Sequence, residues 1–386
     1  MSAEPSTGGR LLYVDNIRIL LISLVIATHA AITYGAYGSW IYVEVSASGE
    51  SLYSLVLTLL TSLFQSFFMG LFFLIAAYFV PASLERKGAR RYVLDRLVRL
   101  GIPMVIWVLF IAPPLFYFVE YMTGKFNGSL LDWYWLTITH FQSFGLGPLW
   151  FLLSLLVFTL MYVGWREIQR EEQEKGGDPS RSVPSFLTIV TVALGIGILT
   201  FLVRLVFPIG SSWALFDLQF SFFVQYIAYF LIGLYAARHR WLNSFPSPTG
   251  RNCGMAALVL IVIQPILLII LVTSNGSIES LLGGFFWQAL VYAIWEQLTG
   301  MMISIGLLWV FSLTLNNQGP ITQAAAADSY TAYIVQIPIL LTTSLALRGI
   351  MLPPILKFLL VITIVIPLSF TVAHLIRSLP GVKRVL

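Results

Sequence analysis

The sequence is poor in charged residues and in cysteine. Only 10% of its 386 residues are charged, whereas about a quarter is usual in soluble proteins. A single cysteine, Cys253, excludes an intrachain disulfide, and the four histidines are too scattered to indicate a metal site. The sequence shows no internal repeat of the kind that marks inverted-topology transporters. These absences exclude a soluble globular enzyme, a disulfide-stabilised secreted domain and a structural zinc protein.

The chain is instead rich in long apolar runs. Hydrophobic residues make up 58% of it, and the mean hydropathy is +0.87. Ten runs approach the ~20 residues that a helix needs to cross a bilayer. The sequence therefore predicts an all-α, polytopic integral membrane bundle of about ten transmembrane helices. The membrane domain is expected over residues 17–376, between tails at 1–16 and 377–386. The predicted spans are 17–37, 56–80, 100–121, 147–165, 186–207, 214–237, 254–273, 287–313, 330–347 and 354–376.

The basic residues are distributed very unevenly between the predicted loops. Ten spans place both termini on one side, and the segments on that side hold eighteen of the 22 lysines and arginines. The other side holds three, and Arg204 lies within a span. Basic residues accumulate in cytoplasmic loops, so we expect cytoplasmic N- and C-termini in the plasma membrane. The net charge of +5 thus indicates topology and contact with membrane lipids, not nucleic-acid binding.

The first apolar run carries two ionisable side chains, Arg18 and His29. Eleven residues make about three helical turns, so both side chains share one face, about 16 Å apart along the axis. Ionisable groups at membrane depth are costly and usually functional. The run continues into Tyr34, Tyr37 and Trp40, an aromatic set expected at the membrane interface. We therefore interpret it as an uncleaved first helix and not as a signal peptide.

Two further arginines lie where the third span begins. Arg96 and Arg99 are three residues apart and so share a helix face. Two guanidinium groups on one face suit a phosphate or pyrophosphate group, because each provides a rigid bidentate donor. The alternative is simple anchoring to lipid headgroups. Arg18 lies at the same membrane face, which favours a shared anion site formed by all three.

Glu296 is the only carboxylate well inside a late predicted span. An acid at that depth normally faces the protein interior or water. It is a candidate to orient the His29 imidazole or to contact a substrate. The alternative is a structural ion pair with an arginine such as Arg204. Asp217 is a second candidate partner for Arg204.

Several segments together resemble the acyltransferase family 3 membrane proteins, and the resemblance covers nearly the whole chain. In order along the chain they are Asp15-Asn16-Ile17 with Arg18-x10-His29, Phe72-Phe73-Leu-Ile-Ala-Ala77-Tyr78, Arg96-x-x-Arg99, Gly147-Pro-Leu-Trp150-Phe151-Leu, Tyr229-Phe-Leu-Ile-Gly233 and Ser329-Tyr-Thr-Ala-Tyr333-Ile-Val-Gln336-Ile-Pro338. Members often carry histidine where this chain has Gln336. The chain is similar to the stand-alone branch that includes the glucan biosynthesis protein C succinyltransferases.

The resemblance implies an O-acyltransferase that moves an acyl group from cytoplasmic acyl-CoA to a hydroxyl of a glycan or other envelope acceptor, such as a lipid-linked one. Arg18, Arg96 and Arg99 would bind the phosphates of acyl-CoA, the donor, and no metal is implied. The pantetheine arm would follow the first helix and bring the thioester to His29. The imidazole would act as general base or, alternatively, form an acyl-histidine. The resemblance also suggests Trp150, Tyr330 and Tyr333 as substrate contacts.

Two other functions fit the same residues. In a proton-coupled transporter or flippase, Arg18, His29 and Glu296 would form an intramembrane relay. In a structural or regulatory membrane subunit they would have no chemical role. The sequence does not distinguish acetyl from succinyl as the transferred group.

Overall fold

The structure is a computed structural model that describes residues 10–139, 145–169, 182–212, 216, 218–243, 247–274 and 278–385. In these ranges, ten helices are long and apolar enough to cross a membrane, which confirms the predicted all-helical bundle. They are α1 (Leu12–Thr33), α2 (Leu52–Lys87), α3 (Ala89–Met122), α4 (Gly147–Ile168), α5 (Phe186–Arg204), α6 (Phe220–Arg238), α7 (Ser247–Thr273), α8 (Trp287–Thr314), α9 (Pro320–Ala346) and α10 (Pro354–Ser378).

Several helices begin or end away from the predicted residues. Helix α1 begins at Leu12 instead of residue 17, and α9 begins at Pro320 instead of residue 330. Hydropathy marks only the stretch that suits the bilayer, whereas backbone hydrogen bonding continues through polar residues such as Thr322 and Asp328. Pro320 occupies the first turn of α9, where its missing N–H would have had no intrahelical acceptor.

The helices differ greatly in how deeply they are buried. The most apolar stretch of α1 is 61% buried inside the protein, whereas that of α7 is only 17% buried. Helix α7 is the most apolar of the ten, as expected for a helix that faces lipid on most sides. Arg18 and His29 therefore lie on one of the more deeply buried helices, and Glu296 lies on another, α8, whose most apolar stretch is 56% buried.

Helix α2 is interrupted near its middle. Regular α-helix covers Leu52–Gln65 and resumes at Phe68. At the interruption, the Ser66 carbonyl accepts a hydrogen bond of 2.5 Å from Nε2 of Gln225 in α6. A Cβ atom at Gly300 of α8 would lie 1.9 Å from the Ser66 oxygen, so only glycine permits this approach. The interruption is thus held in the protein core between α6 and α8.

The bundle has two ends, which we name for use below. The terminal face holds the start of α1 and the end of α10. There, Nδ2 of Asn16 donates to the carbonyls of Leu315 and Asn317, at 2.7 and 3.0 Å, and ties α1 to the α8–α9 connection. The far face holds the connection between α1 and α2. There, Lys357 of α10 forms an ion pair with Glu44 of that connection.

Candidate functional site

A cavity of about 510 Å³ lies inside the bundle and is named here the central cavity. His29 of α1 lines it, together with Trp150 of α4, Glu296 of α8 and Tyr333 of α9. Its rim includes residues from three connections on the far face, among them Ser48 and Ile278. The central cavity therefore opens towards the far face and reaches interior helices that carry polar groups.

The His29 ring is held by an aromatic neighbour. It stacks on Trp40, with the ring centroids 3.8 Å apart and the planes 10° from parallel. Gln336 of α9 is near enough to interact with the imidazole. Even so, Nδ1 of His29 and both amide atoms of Gln336 are buried and make no hydrogen bond of normal geometry. The imidazole is thus fixed in orientation, and its Nδ1 atom can still form a hydrogen bond.

Aromatic side chains form the wall beside α4. Trp150 stacks on Tyr226 of α6, with centroids 5.2 Å apart. The Tyr333 hydroxyl donates to the carbonyl of Pro148, in the turn that begins α4, and so helps to place Trp150. Flat aromatic faces with a few polar groups between them are suited to packing against apolar groups or the faces of sugar rings.

Glu296 is buried and forms an ion pair. Its Oε2 atom accepts from Arg204 of α5 at 2.7 Å and from Nε2 of Gln297 at 3.0 Å. Arg204 is fully buried, donates to the Ser221 carbonyl at 3.2 Å and lies over the ring of Phe222. The ion pair with Arg204, which the sequence offers as the structural alternative for Glu296, is therefore present in the structure. Asp217, the second candidate partner of Arg204, lies outside the described residues.

One oxygen of Glu296 remains available. Oε1 of Glu296 and one terminal guanidinium nitrogen of Arg204 are buried without a hydrogen-bond partner, while Glu296 itself lines the central cavity. Glu296 and His29 border the same space, but no hydrogen bond joins them. The ion pair is thus compatible with a second role for Glu296, as an acceptor for a hydroxyl group in the cavity.

The three predicted anion-binding arginines lie on α1 and α3 towards the terminal face and are named the arginine cluster. Arg18 forms an ion pair with Asp15 at 3.0 Å and lies over the ring of Phe79. Arg96 lies within electrostatic range of Arg18, and its Nε donates to the Tyr92 hydroxyl at 2.9 Å. Arg18 of α1 and Arg96 of α3 are therefore close enough to interact, and anion binding by the three arginines stays a prediction.

Tyr330 joins the arginine cluster and does not line the central cavity. Its hydroxyl donates to the Arg99 carbonyl at 2.6 Å. That carbonyl is available because Pro103, four residues later, has no N–H to donate to it. The resemblance assigns Tyr330 to substrate contact. The structure places Tyr330 beside Arg99, away from the central cavity, and places Trp150 and Tyr333 at the cavity.

The two groups of residues are connected by one helix. None of Arg18, Arg96 and Arg99 lines the central cavity. Arg18 and His29 lie on α1 about 16 Å apart along its axis. An elongated molecule with a phosphate group at one end and a reactive group at the other matches this separation. In the described ranges, no group of three or more histidine, cysteine or acidic residues is placed to hold a metal ion.

Trp40 is the site residue that sequence reasoning missed. It belongs to an aromatic set that the sequence places at the membrane interface, and it lies eleven residues after His29. The connection after α1 folds back so that the indole covers the imidazole. No local pattern indicates such a contact, because it depends on how an irregular segment returns to the bundle.

Comparison with known proteins adds an independent finding. A family model described as an acyltransferase domain matches residues 11–374 of the chain. Proteins called glucans biosynthesis protein C, from Escherichia coli K12 and from E. coli O9:H4 strain HS, are 28% identical to it over 270 residues. The match covers 67% of this chain and 66% of each relative, just under two thirds of the relatives' length. No solved structure matches the chain significantly.

Proposed function

Because this chain belongs to the acyltransferase family 3 membrane proteins, we propose that it transfers an acyl group from acyl-CoA to a hydroxyl of a glycan. Family membership favours acyl transfer over the transporter or flippase alternative. The relatives named for glucan biosynthesis support a glycan as the acceptor. The observation that carries the proposal is that α1 connects the arginine cluster to His29 at the central cavity.

The arginine cluster suits the phosphorylated end of acyl-CoA. Coenzyme A carries a 3′-phosphate and a pyrophosphate at one end and the thioester at the far end of an extended arm. Arginine binds phosphate oxygens in bidentate geometry and keeps its charge at every physiological pH. With the phosphates at Arg18, Arg96 and Arg99, the arm would run along α1 and the thioester would reach His29.

His29 is proposed as the general base. The neutral imidazole takes the proton of the acceptor hydroxyl while the oxygen attacks the thioester carbonyl carbon. The tetrahedral intermediate then expels the thiolate of CoA, which takes the proton from the imidazolium. The products are an O-acyl ester and CoA with a free thiol, and His29 is neutral again. Stacking on Trp40 would hold the ring in place through this cycle.

The acceptor is proposed to occupy the central cavity from the far face. Trp150 and Tyr333 would pack against it, and Oε1 of Glu296 would accept a hydrogen bond from one of its hydroxyls. The eighteen basic residues on the terminal-face side support a cytoplasmic location for that face, and the plasma membrane is the proposed location. Donor and acceptor would then approach His29 from opposite sides of the membrane.

Arg96→Ala/Arg99→Ala is expected to weaken CoA binding by at least about 100-fold, because it removes two charged hydrogen bonds that each contribute roughly 1.5–3 kcal/mol. The measurement is the thermal stabilisation of the detergent-solubilised protein by increasing CoA. Pantetheine, which lacks the phosphates, should not stabilise the unsubstituted protein.

Arg90→Ala/Arg91→Ala is the matched control. It removes the same charge from exposed positions one to two turns earlier in α3, and CoA should stabilise it as it does the unsubstituted protein. Equal stabilisation of the Arg96→Ala/Arg99→Ala variant would contradict the proposed donor site.

A further inference from the structure

Between α2 and α7, the wall of the central cavity includes exposed residues. Leu55 of α2 and Ile269 of α7 line the cavity although 40% and 50% of their surfaces are exposed. Leu268 and Val272 of α7 line it beside them. Leu55 and Ile269 therefore belong to a part of the cavity wall that also forms the outer surface of the bundle. We name this part of the wall, formed by Leu55, Leu268, Ile269 and Val272, the lateral slot.

The lateral slot lies in the half of the membrane next to the far face. Helix α2 begins at Leu52 and α7 ends at Thr273, so Leu55 and Ile269 are each about one helical turn from the far-face end of their helices. Deeper in, Nε2 of Gln264 donates to the Leu59 carbonyl at 3.0 Å and to Oγ of Ser62 at 2.7 Å. These bonds join α7 to α2 and close the slot towards the middle of the membrane.

Along the cavity face of α2, an apolar residue at the slot is followed by a polar stretch that ends at Gln65, and Phe68 and Met69 come after it. Leu55, Thr58, Ser62 and Gln65 all line the cavity, and their spacing of three or four residues places them on one helix face. Leu55 lies at the slot, whereas Gln65 lies deep inside and donates to the Tyr226 hydroxyl at 3.1 Å. An amphipathic molecule with its tail at the slot and its polar group inside would match this order.

We propose that the lateral slot admits the hydrocarbon tail of a lipid-linked acceptor whose hydroxyl-bearing head group occupies the central cavity. The proposal rests on the acyl transfer proposed above and specifies its acceptor class. Moving a hydrocarbon tail from the lipid to a position between apolar side chains has no free-energy cost, whereas moving a sugar there would cost the free energy of its hydration.

The donor's acyl chain is the other molecule that could supply hydrocarbon. A chain carried on acyl-CoA reaches His29 from the terminal face and needs a closed pocket, not an opening to the surrounding lipid. A membrane-resident acceptor, by contrast, must enter and leave sideways with its tail still in the bilayer. An open wall between α2 and α7 serves the acceptor, and for this reason the slot is assigned to it.

The test uses the full-length protein in nanodiscs with radiolabelled acetyl-CoA and succinyl-CoA. The two acceptors are a glucosyl diacylglycerol in the bilayer and a soluble glucose hexamer. Leu55→Trp/Ile269→Trp fills the slot and should lower the ratio of lipid-linked to soluble transfer at least tenfold. The control is Ile270→Trp, which places the same bulk on an exposed position of α7 that does not line the cavity. It should leave the ratio unchanged.

A second readout does not need turnover. A glucosyl lipid with a diazirine in its tail should crosslink to residues of the slot, and unlabelled glucosyl lipid should compete. Crosslinks spread evenly over the lipid-facing surface, with transfer to the hexamer intact, would overturn the slot assignment alone. Competition by palmitoyl-CoA instead of the glucosyl lipid would overturn it in favour of the donor chain. Absence of transfer to both acceptors would count against the proposed function itself.

Discussion

His29→Ala is expected to lower the rate of acyl transfer by about 10²–10⁴-fold, the range that a positioned general base contributes. The substitution removes the one ionisable group that borders the central cavity on α1. CoA binding should be unchanged, because the arginine cluster lies about 16 Å away along the helix axis. The measurement is the rate of label transfer from acyl-CoA at saturating donor, with CoA affinity measured on the same preparation.

His29→Gln distinguishes the loss of the general base from the loss of the side chain that packs against Trp40. Glutamine keeps a polar side chain against Trp40 but cannot carry the proton, so it should be as inactive as alanine. Either variant retaining more than a tenth of the rate, in protein that folds and binds CoA, would remove His29 from the proposed chemistry. A structural role for the imidazole, as a hydrogen-bonding residue between helices, would then be preferred.

Single substitutions of the Arg204–Glu296 pair are expected to destabilise the folded protein by about 3–5 kcal/mol each, because each leaves a buried charge without its partner. Arg204 and Glu296 are 0% and 1% exposed. The double variant Arg204→Met/Glu296→Leu should recover most of the loss, since it leaves neither charge behind. Thermal unfolding in detergent of the unsubstituted protein, both single variants and the double variant completes the cycle.

The same double variant tests what Glu296 does beyond stability. If the available Oε1 atom accepts a hydrogen bond from the acceptor, the double variant should be stable but poorly active, with the loss seen mainly in the acceptor KM. Recovery of both stability and transfer would leave Glu296 a purely structural role. Single variants as stable as the unsubstituted protein would show that the pair is not the buried interaction described here.

The helical bundle follows from the sequence because each span must satisfy its own backbone hydrogen bonds in lipid. Ten apolar runs of suitable length therefore predict ten helices, and the Arg18–His29 spacing fixes their common face on α1 before any tertiary contact is known. The first and last residues of each helix follow less directly from the sequence than the number of helices does. The helical conformation of Pro320–Ala346 continues outside the apolar run because local hydrogen bonding does not stop where hydropathy falls.

The candidate site could be predicted only where its residues share a helix or a motif. The pairs Arg18 with His29 and Arg96 with Arg99 are local patterns. Whether they converge depends on which helices are neighbours, and the sequence indicates only that all three arginines lie at the same membrane face.

No local sequence pattern predicts the position of Trp40 or the lateral slot. The position of Trp40 depends on how an irregular connection folds back onto the bundle. The lateral slot depends on how α2 and α7 lie beside each other near their far-face ends. Both are properties of the packed bundle, so periodicity in one helix does not reveal them.

The most direct measurement is acyl transfer across a sealed membrane. The protein is reconstituted in proteoliposomes, and vesicles with one orientation are selected through a tag at the N-terminus. Labelled acyl-CoA is supplied on the terminal-face side and the glycan acceptor on the far-face side. We expect labelled product on the far-face side, in this arrangement only, and none with His29→Ala. Product that forms only when both substrates are on the same side would contradict transfer along α1 through His29.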